Sequence, residues 1–136
     1  MDNIKVSNTI PIFVLTMDNP GGVRWVHCEK EFSNLGLDFN FVEGFKVDNP
    51  EITRIFSFIK NFFLVKRKLT HEEISCYLGH RKIWRQFLNS DKDVCLITED
   101  DVMIRDIEAF KRVISFANDN DNWDILKLFD YKPKPI

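Results

Sequence analysis

One stretch of the sequence decides the fold and points to a site: Leu96-Ile97-Thr98-Glu99-Asp100-Asp101-Val102-Met103-Ile104. An apolar run that begins at Val94 ends here in three consecutive carboxylates, and the chain then becomes apolar again. Adjacent carboxylates repel one another, so a chain that places three of them at the end of a buried strand usually holds a cation there. We therefore expect the rest of the chain to be a scaffold for Glu99, Asp100 and Asp101.

Length, composition and charge bound the class of protein. The chain has 136 residues, enough for one domain with a buried core, and its 44% apolar and 29% charged residues are typical of globular proteins. A formal net charge of −2 offers no attraction for nucleic acid, so we expect no nucleic-acid partner. No signal-peptide layout and no apolar run of transmembrane length is found. The spacing of Cys28, Cys76 and Cys95 favours free thiols in a reducing cytoplasm.

The order of apolar runs and turns predicts an α/β fold. The first half predicts a strand over Thr9–Thr16, a helix over Val23–Leu35 that ends at Gly36, and a strand over Asp38–Val42. The second half predicts further helices and strands in alternation: a helix opening at Asn49-Pro50-Glu51, a helix from Thr70 to about Leu88, a strand over Val94–Thr98, a helix over Asp106–Asn118 and a strand over Trp123–Phe129. This order indicates a short, mostly parallel sheet flanked by helices.

The helix that begins after Thr70 carries ionisable side chains on its predicted inner stripe. Thr70 and Glu73 have the spacing of a capping box. On a helical wheel, seven residues share about a third of the circumference and predict the side facing the core: Glu73, Cys76, Tyr77, His80, Ile83, Trp84 and Phe87. Because a strand rises about 3.3 Å per residue and a helix about 1.5 Å, His80 is expected level with the three acids. His80 is then either a core histidine or a ligand contact, and Glu73 either a cap or a supporting group.

The three acids are expected at the edge of the sheet where α/β proteins bind ligands, together with the turn at Asp18 that follows the first strand. Hard divalent cations take carboxylate oxygens and bridge phosphates, so Mg²⁺ or Mn²⁺ holding a diphosphate fits the acids best. The spacing of cysteines and histidines predicts no zinc site. Neither nucleotide-binding glycine fingerprint is present, which leaves the metal and Arg24 to hold phosphates, with an ordinary surface role for Arg24 as the alternative.

Two segments, taken together, carry a resemblance to a known family. They are Leu69-Thr70-His71-Glu72-Glu73-Ile74-Ser75-Cys76-Tyr77-Leu78-Gly79-His80 with Trp84 after it, and Leu96–Val102. They resemble glycosyltransferase family 25, the bacterial lipopolysaccharide and lipooligosaccharide sugar transferases, whose pattern is roughly L-T-x-G-E-I-G-C-x-L-S-H-x-x-x-W followed by a strand ending in L-E-D-D. Nine positions match: Glu73, Ile74, Cys76, Leu78, His80, Trp84, Glu99, Asp100 and Asp101. Less specific matches extend the resemblance over nearly the whole chain.

The resemblance implies a Rossmann-like, GT-A-like fold in which residues 1–136 form a single nucleotide-sugar-binding domain. It implies that Asp100 and Asp101 hold Mn²⁺ or Mg²⁺ and the donor diphosphate, with Glu99 supporting them. Glu73 and His80, placed near the acids by the helix geometry, are candidates for further supporting groups. The implied reaction is metal-dependent transfer of a sugar, often galactose, from a nucleotide-sugar donor such as a UDP-sugar to a lipopolysaccharide or oligosaccharide acceptor. No residue of the sequence identifies itself as the catalytic base.

The sequence also departs from the family pattern. Ser75 stands where Gly is usual, Gly79 where Ser is usual, and Thr16-Met17-Asp18-Asn19 where a Ser/Asn-Leu-x-Arg type sequence usually follows the first strand. Family members usually continue well beyond this length, so the C-terminal part that completes the acceptor side is expected to be lacking. Two functions therefore stay open: a glycosyltransferase, and a truncated, non-catalytic module that binds a nucleotide-sugar or a partner.

The expected location follows from the same resemblance, and the expected assembly from the Phe-rich segment. Lipopolysaccharide acceptors lie on the inner membrane, which implies a cytoplasmic protein or one at the inner face of the cytoplasmic membrane, attached peripherally without a visible anchor. The Phe-rich segment 56–63 is typical of a core, but it is also compatible with a surface covered by a second copy of the chain. A homo-oligomer thus stays open.

Overall fold

Three short parallel strands form the centre of the molecule. The computed structural model describes residues 10–61 and 69–128, except for the side chains of 56–61. The described elements are, in chain order, β1 (Ile12–Thr16), α1 (Val23–Ser33), β2 (Asn40–Glu43), α2 (Pro50–Asn61), α3 (His71–Leu88), β3 (Leu96–Glu99) and α4 (Ile107–Asp119). The predicted α/β class is confirmed: a small parallel sheet is flanked by helices in a Rossmann-like arrangement.

Strand β1 is the middle strand of the sheet, whose order is β2-β1-β3. Its five residues are all buried, as is usual for a parallel strand covered on both faces. Both neighbours run parallel to it, with Thr16 beside Glu43 on one side and Leu15 beside Glu99 on the other. The carboxyl ends of the three strands therefore meet at one edge.

The two faces of the sheet carry separate buried clusters because successive side chains of a strand point to opposite sides. The face covered by α1 holds one of them: Ile12, Val14, Cys28, Phe32 and Leu37. The opposite face holds the cluster that joins the sheet to α3: Phe13, Leu15, Val42 and Ile83. Since α1 leads to β2 and α3 leads to β3, the chain crosses over on opposite faces of the sheet, with the switch between β1 and β3.

The predicted inner stripe of α3 is wrong in part. The residues that the helix buries are Ile74, Ser75, Leu78, Gly79 and Ile83. Of the predicted stripe, Ile83 is buried and Phe87 is partly buried against the cluster around Leu15, but Cys76, Tyr77 and Trp84 are exposed. The buried side is thus rotated towards the small residues of the helix.

Two small residues explain this rotation. A Cβ atom on Gly79 would lie 2.7 Å from Cδ1 of Leu15, so a glycine lets the helix approach the sheet closely. The Ser75 hydroxyl donates to the carbonyl of Phe45 and so satisfies its own polarity while buried. The prediction had given weight to aromatic and thiol side chains and none to these small ones.

The predicted strand over Trp123–Phe129 is wrong for residues 123–128, which form no strand; Phe129 lies outside the described residues. Trp123 and Leu126 both pack against one buried cluster: Ile10, Ile114 and Ala117. A spacing of three between packed side chains does not fit the alternation of a strand, and the intervening Ile125 is 86% exposed. The indole Nε1 of Trp123 donates to the carbonyl of Asn120 at 2.9 Å, which keeps the segment close to the end of α4.

Local signals in the sequence located most helix ends. Thr70 and Glu73 form the predicted capping box, and Gly36 has a φ of 64°, the left-handed conformation that glycine adopts after a helix. Thr9, where the first strand was predicted to begin, lies outside the described residues, as do the side chains of the Phe-rich segment 56–63. Among the described helices, none has the length and apolar character needed to cross a bilayer.

Candidate functional site

The three consecutive acids point in three directions, and the strand alternation explains why. Glu99 is the last residue of β3 and lies beside Leu15, whose side chain packs on the face covered by α3, so Glu99 faces α3 as well. Asp100, one residue further, turns to the face covered by α1 and is 5% exposed. Asp101 has left the strand and is exposed. The run therefore supplies acids to three different environments.

Asp100 is a buried carboxylate with a partner for each oxygen. The Thr16 hydroxyl donates to Oδ2 at 2.8 Å, and Nη1 of Arg24 donates to Oδ1 at 2.9 Å. The hydrogen bond and the negative charge of Asp100 raise the pKa of Arg24 further above its already high value, so the guanidinium is always cationic. A buried charge is tolerated where it is paired in this way, and Arg24 keeps 64% of its side chain exposed.

The turn after β1 joins this network through Asp18. Its backbone N–H donates to the Thr16 hydroxyl at 2.9 Å, and its carboxylate accepts the N–H groups of Asn19, Arg24 and Trp25. The last two belong to the first turn of α1, so Asp18 caps a helix whose N-cap residue, Gly22, has no capping side chain. Desolvation alone would raise the pKa of Asp18, but the N–H donors and the charge of Arg24 outweigh it and lower the pKa.

Glycine at position 22 is required by this capping carboxylate. A Cβ atom built on Gly22 would collide with both oxygens and Cγ of Asp18. The Asp18 carboxylate cannot retreat freely because three backbone N–H groups hold it. The turn residues that break the first strand are thus part of the site, as their place at the sheet edge predicted.

One side of α1 contacts the segment that follows β3. Four residues of α1 form this side, because their spacing of three and four places them on one helical face: Arg24, His27, Cys28 and Glu31. Besides the ion pair of Arg24, the Cys28 thiol donates to the backbone carbonyl of Asp100 at 3.3 Å. Burial raises the pKa of Cys28 to about 11, with the nearby charges of Asp100 and Asp101 adding to the effect, so this thiol stays protonated.

The same face of α1 continues this attachment beyond the acids. The ring of His27 donates from Nε2 to the carbonyl of Val102 at 2.6 Å, and a carboxylate oxygen of Glu31 accepts the N–H of Ile104 at 3.1 Å. Three successive even-numbered residues of the segment are therefore tied to one helix. This arrangement holds Asp101 between two fixed neighbours.

Asp101 is the acid of the run that is exposed on this side of the sheet, since the exposed Glu99 faces α3. Its side chain is exposed, and among the described residues it acts on Arg24 and Cys28 through charge rather than through a hydrogen bond. We call Thr16, Asp18, Arg24, Asp100 and Asp101 the switch-point edge, because they lie where the carboxyl ends of β1 and β3 meet. This is the position at which doubly wound sheets bind ligands.

Glu99 belongs to a second group, on the other face of the sheet. Its Oε1 lies 3.3 Å from Nε2 of His80 and 3.7 Å from Sγ of Cys76. Burial, followed by the charge of Glu99 and its hydrogen bond, raises the pKa of Cys76. The predicted level of His80 with the acids is thus found in the structure, but for Glu99 alone. The sequence spacing of cysteines and histidines had predicted no zinc site, yet the structure brings Cys76 and His80 together beside Glu99.

Glu73 is placed at the start of α3 rather than beside the acids. Its Oε2 accepts the N–H of Thr70 at 2.9 Å, and its own N–H donates to the Thr70 hydroxyl at 3.2 Å. The group that gathers around Glu99 consists of Cys76 and His80 and leaves Glu73 out. The capping alternative therefore accounts for Glu73 within the described structure.

Sequence reasoning missed two contributors to these groups. Thr16 was taken only as the end of a strand and Cys76 only as core, whereas the turn at Asp18 was expected at the same edge as the acids. The signal for Thr16 and Asp100 was present in principle, because a strand that ends in Thr beside a strand that ends in Glu-Asp places the two on one edge. For Cys76 the signal was its spacing of four from His80 on one helix.

The carboxylates of the switch-point edge are of the kind that binds a hard divalent cation, but some of their oxygens are already used in hydrogen bonds. Asp101 is an exposed oxygen ligand, whereas Asp100 already uses both oxygens. The guanidinium of Arg24 stands at Oδ1, and its exposure leaves it room to move away. Glu99 is engaged with His80 and Cys76 on the opposite face. Mg²⁺ or Mn²⁺ would therefore be held by Asp101 first and by Asp100 after Arg24 leaves Oδ1.

A concave surface lies away from these acids. It is a groove of about 210 Å³ whose lining includes Phe45 and three cations of α3, Arg81, Lys82 and Arg85. The Nζ of Lys82 donates to the carbonyl of Glu43 at 2.8 Å, so this cation is used in fastening α3 to β2. The groove offers positive charge without a carboxylate cluster and is unlike the switch-point edge.

Comparison with known proteins gives the family. The profile described as glycosyltransferase family 25 (LPS biosynthesis protein) matches residues 9–134. The chain is 33% identical over 81 residues to the lipooligosaccharide biosynthesis protein lic2B of Haemophilus influenzae, covering 60% of this chain and 30% of that protein. It is 29% identical over 105 residues to a glycosyltransferase 25 family member of Aedes aegypti, covering 70% of this chain and 17% of that protein. The matched part is thus less than a third of the length of either relative.

Proposed function

This chain belongs to glycosyltransferase family 25, and from that membership we propose that its switch-point edge binds the diphosphate of a nucleotide-sugar donor. The proposed reaction is transfer of the sugar to a saccharide of lipooligosaccharide or lipopolysaccharide. The observation that carries the proposal is the buried Asp100, paired with Arg24 and Thr16 where β1 and β3 end. Arg24 is the exposed member of this ion pair, and it lies at the edge where such sheets bind ligands. Its guanidinium can therefore leave Asp100 and bind an anionic ligand instead.

Arg24 is the residue that we assign to the donor's phosphates. The N-terminus of α1 would ordinarily attract a phosphate, but the Asp18 carboxylate already accepts the N–H groups of Arg24 and Trp25. The attraction for an anion at this edge therefore comes from a side chain, and the guanidinium of Arg24 presents several donors in the planar arrangement that suits phosphate oxygens. Its exposure permits the move from Asp100 to a ligand.

The acids complete the proposed donor site. Asp101 and, once Arg24 has moved, Asp100 would hold Mn²⁺ or Mg²⁺, and such an ion supplies positive charge that stabilises a leaving diphosphate. Thr16 keeps Asp100 oriented through its hydroxyl, and the ties from α1 keep the segment after β3 in place. Glu99 would act only indirectly, since its carboxylate lies with His80 and Cys76.

The finer features belong to the same proposal. We assign a UDP-sugar as the donor and galactose as the sugar, with a lipooligosaccharide or lipopolysaccharide saccharide as the acceptor. A location in the cytoplasm, at the inner face of the cytoplasmic membrane, would bring the protein to that acceptor by peripheral attachment. The name of the Haemophilus influenzae relative, a lipooligosaccharide biosynthesis protein, supports the acceptor class.

Calorimetric titration of the full chain with UDP-galactose tests the donor site. We expect binding with Mn²⁺ present and at least about tenfold weaker binding in EDTA, because the carboxylates then repel the diphosphate. Asp101→Asn should show the weaker binding in Mn²⁺ as well. Asp91→Asn is the matched control: its carboxylate is 90% exposed and lies in the turn before β3, so its binding should equal that of the wild type.

The outcomes separate the proposal from its alternatives. Binding that is equally tight in EDTA and in Asp101→Asn would contradict the assignment of the acids. Tight, Mn²⁺-dependent binding together with no transfer of radiolabelled galactose to any lipooligosaccharide acceptor would favour a donor-binding module over an enzyme. Transfer that is lost in Asp101→Asn and kept in Asp91→Asn would support the glycosyltransferase.

A further inference from the structure

We infer that Cys76, His80 and Glu99 form a binding site for a zinc-class divalent cation, separate from the switch-point edge. The three side chains offer one sulfur, one nitrogen and one oxygen ligand, and these atoms all lie within 4.8 Å of one another. No other group of three such residues is found among residues 10–61 and 69–128. The inference does not rest on the proposed function, because a metal can bind here whether or not a sugar nucleotide binds elsewhere.

The spacings between the ligand atoms suit tetrahedral zinc. With Zn–N and Zn–O bonds of about 2.0 Å and Zn–S bonds of about 2.3 Å, a tetrahedron separates N from O by roughly 3.3 Å and S from O by roughly 3.5 Å. The structure has 3.3 Å from His80 Nε2 to Glu99 Oε1 and 3.7 Å from Cys76 Sγ to the same oxygen. The third pair, Sγ of Cys76 and the ligand nitrogen of His80, lies within 4.8 Å.

The elements of the fold bring the three ligands together without strain. Cys76 and His80 are one helical turn apart on α3 and so project from the same side of the helix. Glu99 comes from the end of β3, and its place opposite Leu15 turns it towards that helix. Gly79 allows the close approach of α3 to β1 at this level. The site therefore depends on the same packing that makes the core.

The chemistry of the ligands selects the class of cation. Thiolate and imidazole are ligands of zinc and of similar borderline ions, whereas Mg²⁺ and Mn²⁺ favour carboxylate, carbonyl and water. Binding converts the Cys76 thiol to a thiolate, whose proton passes to the solvent. One thiolate and one carboxylate then balance the two positive charges of the ion, and the neutral imidazole adds none.

The exposure of the group leaves a fourth position open to solvent. Cys76 is exposed, and the side chains of His80 and Glu99 are 26% and 53% accessible. Three protein ligands with one open position are typical of zinc sites that bind water or a substrate group. An ion here would also fasten α3 to the end of β3, the strand that delivers Asp100 and Asp101.

Titration of the metal-free full chain with Zn²⁺ and with Co²⁺ tests the inference. We expect one equivalent to bind, with release of a proton and, for Co²⁺, a thiolate-to-cobalt charge-transfer absorption in the near ultraviolet. The melting temperature of the protein should rise by roughly 5–10 °C when the concentration of free Zn²⁺ is a hundred times its dissociation constant. Equimolar Mg²⁺ should neither compete nor give this shift.

Variants locate the ion. Cys76→Ser, His80→Asn and Glu99→Gln should each weaken Zn²⁺ binding at least about 100-fold, since removing even an outer partner of a metal ligand can cost that much. Cys95→Ala and Asp101→Asn are the controls and should bind Zn²⁺ like the wild type. The site would be overturned if the near-ultraviolet absorption of bound Co²⁺ persisted in Cys76→Ser, or if Cys95→Ala no longer bound Zn²⁺. It would also be overturned by Zn²⁺ binding that none of the three variants weakens, which would leave the three residues a hydrogen-bonded group only.

The outcome of this test does not depend on whether the proposed donor site exists. The readouts with Zn²⁺ and Co²⁺ use no nucleotide, and Asp101→Asn keeps them while losing the Mn²⁺-dependent binding of UDP-galactose. Loss of donor binding with Zn²⁺ binding intact would contradict only the proposed function. The opposite result would contradict only the zinc-class site.

Discussion

Asp100 and Asp101 are neighbours in sequence with different physical settings. Asp100 is buried and has its charge balanced by Arg24, with the Thr16 hydroxyl on its second oxygen. Asp101 is exposed and held between residues that α1 fastens through their backbone. A buried ionic group that loses one partner leaves the other uncompensated, whereas an exposed acid contributes little to folding. We therefore assign Asp100 to the stability of the edge as well as to the metal, and Asp101 to the metal alone.

Stability measurements on the two acids test this division. Asp100→Ala should lower the free energy of unfolding by about 2–4 kcal/mol, because it removes two hydrogen bonds and leaves the Thr16 O–H without its acceptor. Thr16→Val should cost about 1–2 kcal/mol, because it removes the same buried bond and the acceptor of the Asp18 N–H. Asp101→Ala should change it by no more than about 0.5 kcal/mol. Urea denaturation of the three variants gives these values, and equal losses for both acids would contradict the division.

Cys28 gives the protein a pH dependence on the alkaline side. Burial raises the pKa of this thiol from an ordinary 9.0 to about 11, so the unfolded chain loses its proton at lower pH than the native protein. The raised pKa of Cys28 adds at most about 3 kcal/mol to the free energy of unfolding. This stabilisation is fully present below pH 9 and is lost as the pH rises towards 11. Urea denaturation between pH 7 and about 11 should therefore show a steeper fall for the wild type than for Cys28→Ala.

The difference between the two proteins is the diagnostic quantity, since lysines and tyrosines titrate in both. Parallel curves for wild type and Cys28→Ala would show that the thiol ionises as readily in the native state as in the unfolded one. Thiol labelling at pH 8 offers a second check. The exposed Cys76 should react well before the buried Cys28.

At the scale of elements, the packing of α3 on β1 positions Glu99 beside His80. The helix lies close because Gly79 has no side chain where Leu15 approaches, and Ser75 is small enough to be buried on the same side. A Cβ on Gly79 would lie 2.7 Å from one Leu15 methyl carbon and 2.9 Å from the other. The helix or the leucine would have to shift.

Gly79→Ala should lower the free energy of unfolding by about 1–3 kcal/mol, the usual cost of overpacking, even though alanine favours helices. Leu15→Val removes the atoms that collide and should restore part of that loss in the double variant. Urea denaturation of both single variants and the double variant measures the coupling. Strictly additive losses would mean that the helix does not touch Leu15 in solution as it does here.

The start of α1 depends on Asp18 rather than on its N-cap residue. Gly22→Ala and Asp18→Ala should each lower the free energy of unfolding by about 1 kcal/mol, because both remove the same cap from two helical N–H groups. The double variant should cost little more than either single one, as measured by urea denaturation. Two independent, additive losses would show that Gly22 serves some other purpose than making room for the Asp18 carboxylate.

The sequence predicted the elements better than the faces they present. Hydrophobic runs and caps located α1, α3 and the three strands, because these signals are local. The inner side of α3 could not be read from apolar spacing, since its burial depends on Gly79 meeting Leu15 across the sheet. Trp123 and Leu126 resembled a strand in composition, but their partners at Ile114 and Ala117 lie on α4. The sequence could have predicted that Glu99 and Asp100 lie on different faces of the sheet, because successive side chains of a strand point to opposite sides.

At the scale of the whole molecule, the two crossovers place two chemically different groups on either side of one strand end. The switch-point edge lies on the α1 side with hard carboxylate ligands and a guanidinium, and the group of Cys76, His80 and Glu99 lies on the α3 side with softer ones. Both arise from the run that ends β3. The central claim is that the donor binds on the first side.

Paramagnetic broadening of amide resonances by Mn²⁺ in the presence of UDP tests that claim most directly. In the ¹⁵N-labelled full chain, with Mg²⁺ and UDP as the diamagnetic control, we expect the strongest loss of signal at Thr16–Arg24 and at Glu99–Val102. Resonances around Arg81 and Arg85 in the basic groove should broaden far less. Broadening centred on that groove, or spread evenly over the chain, would contradict a donor site at the switch-point edge.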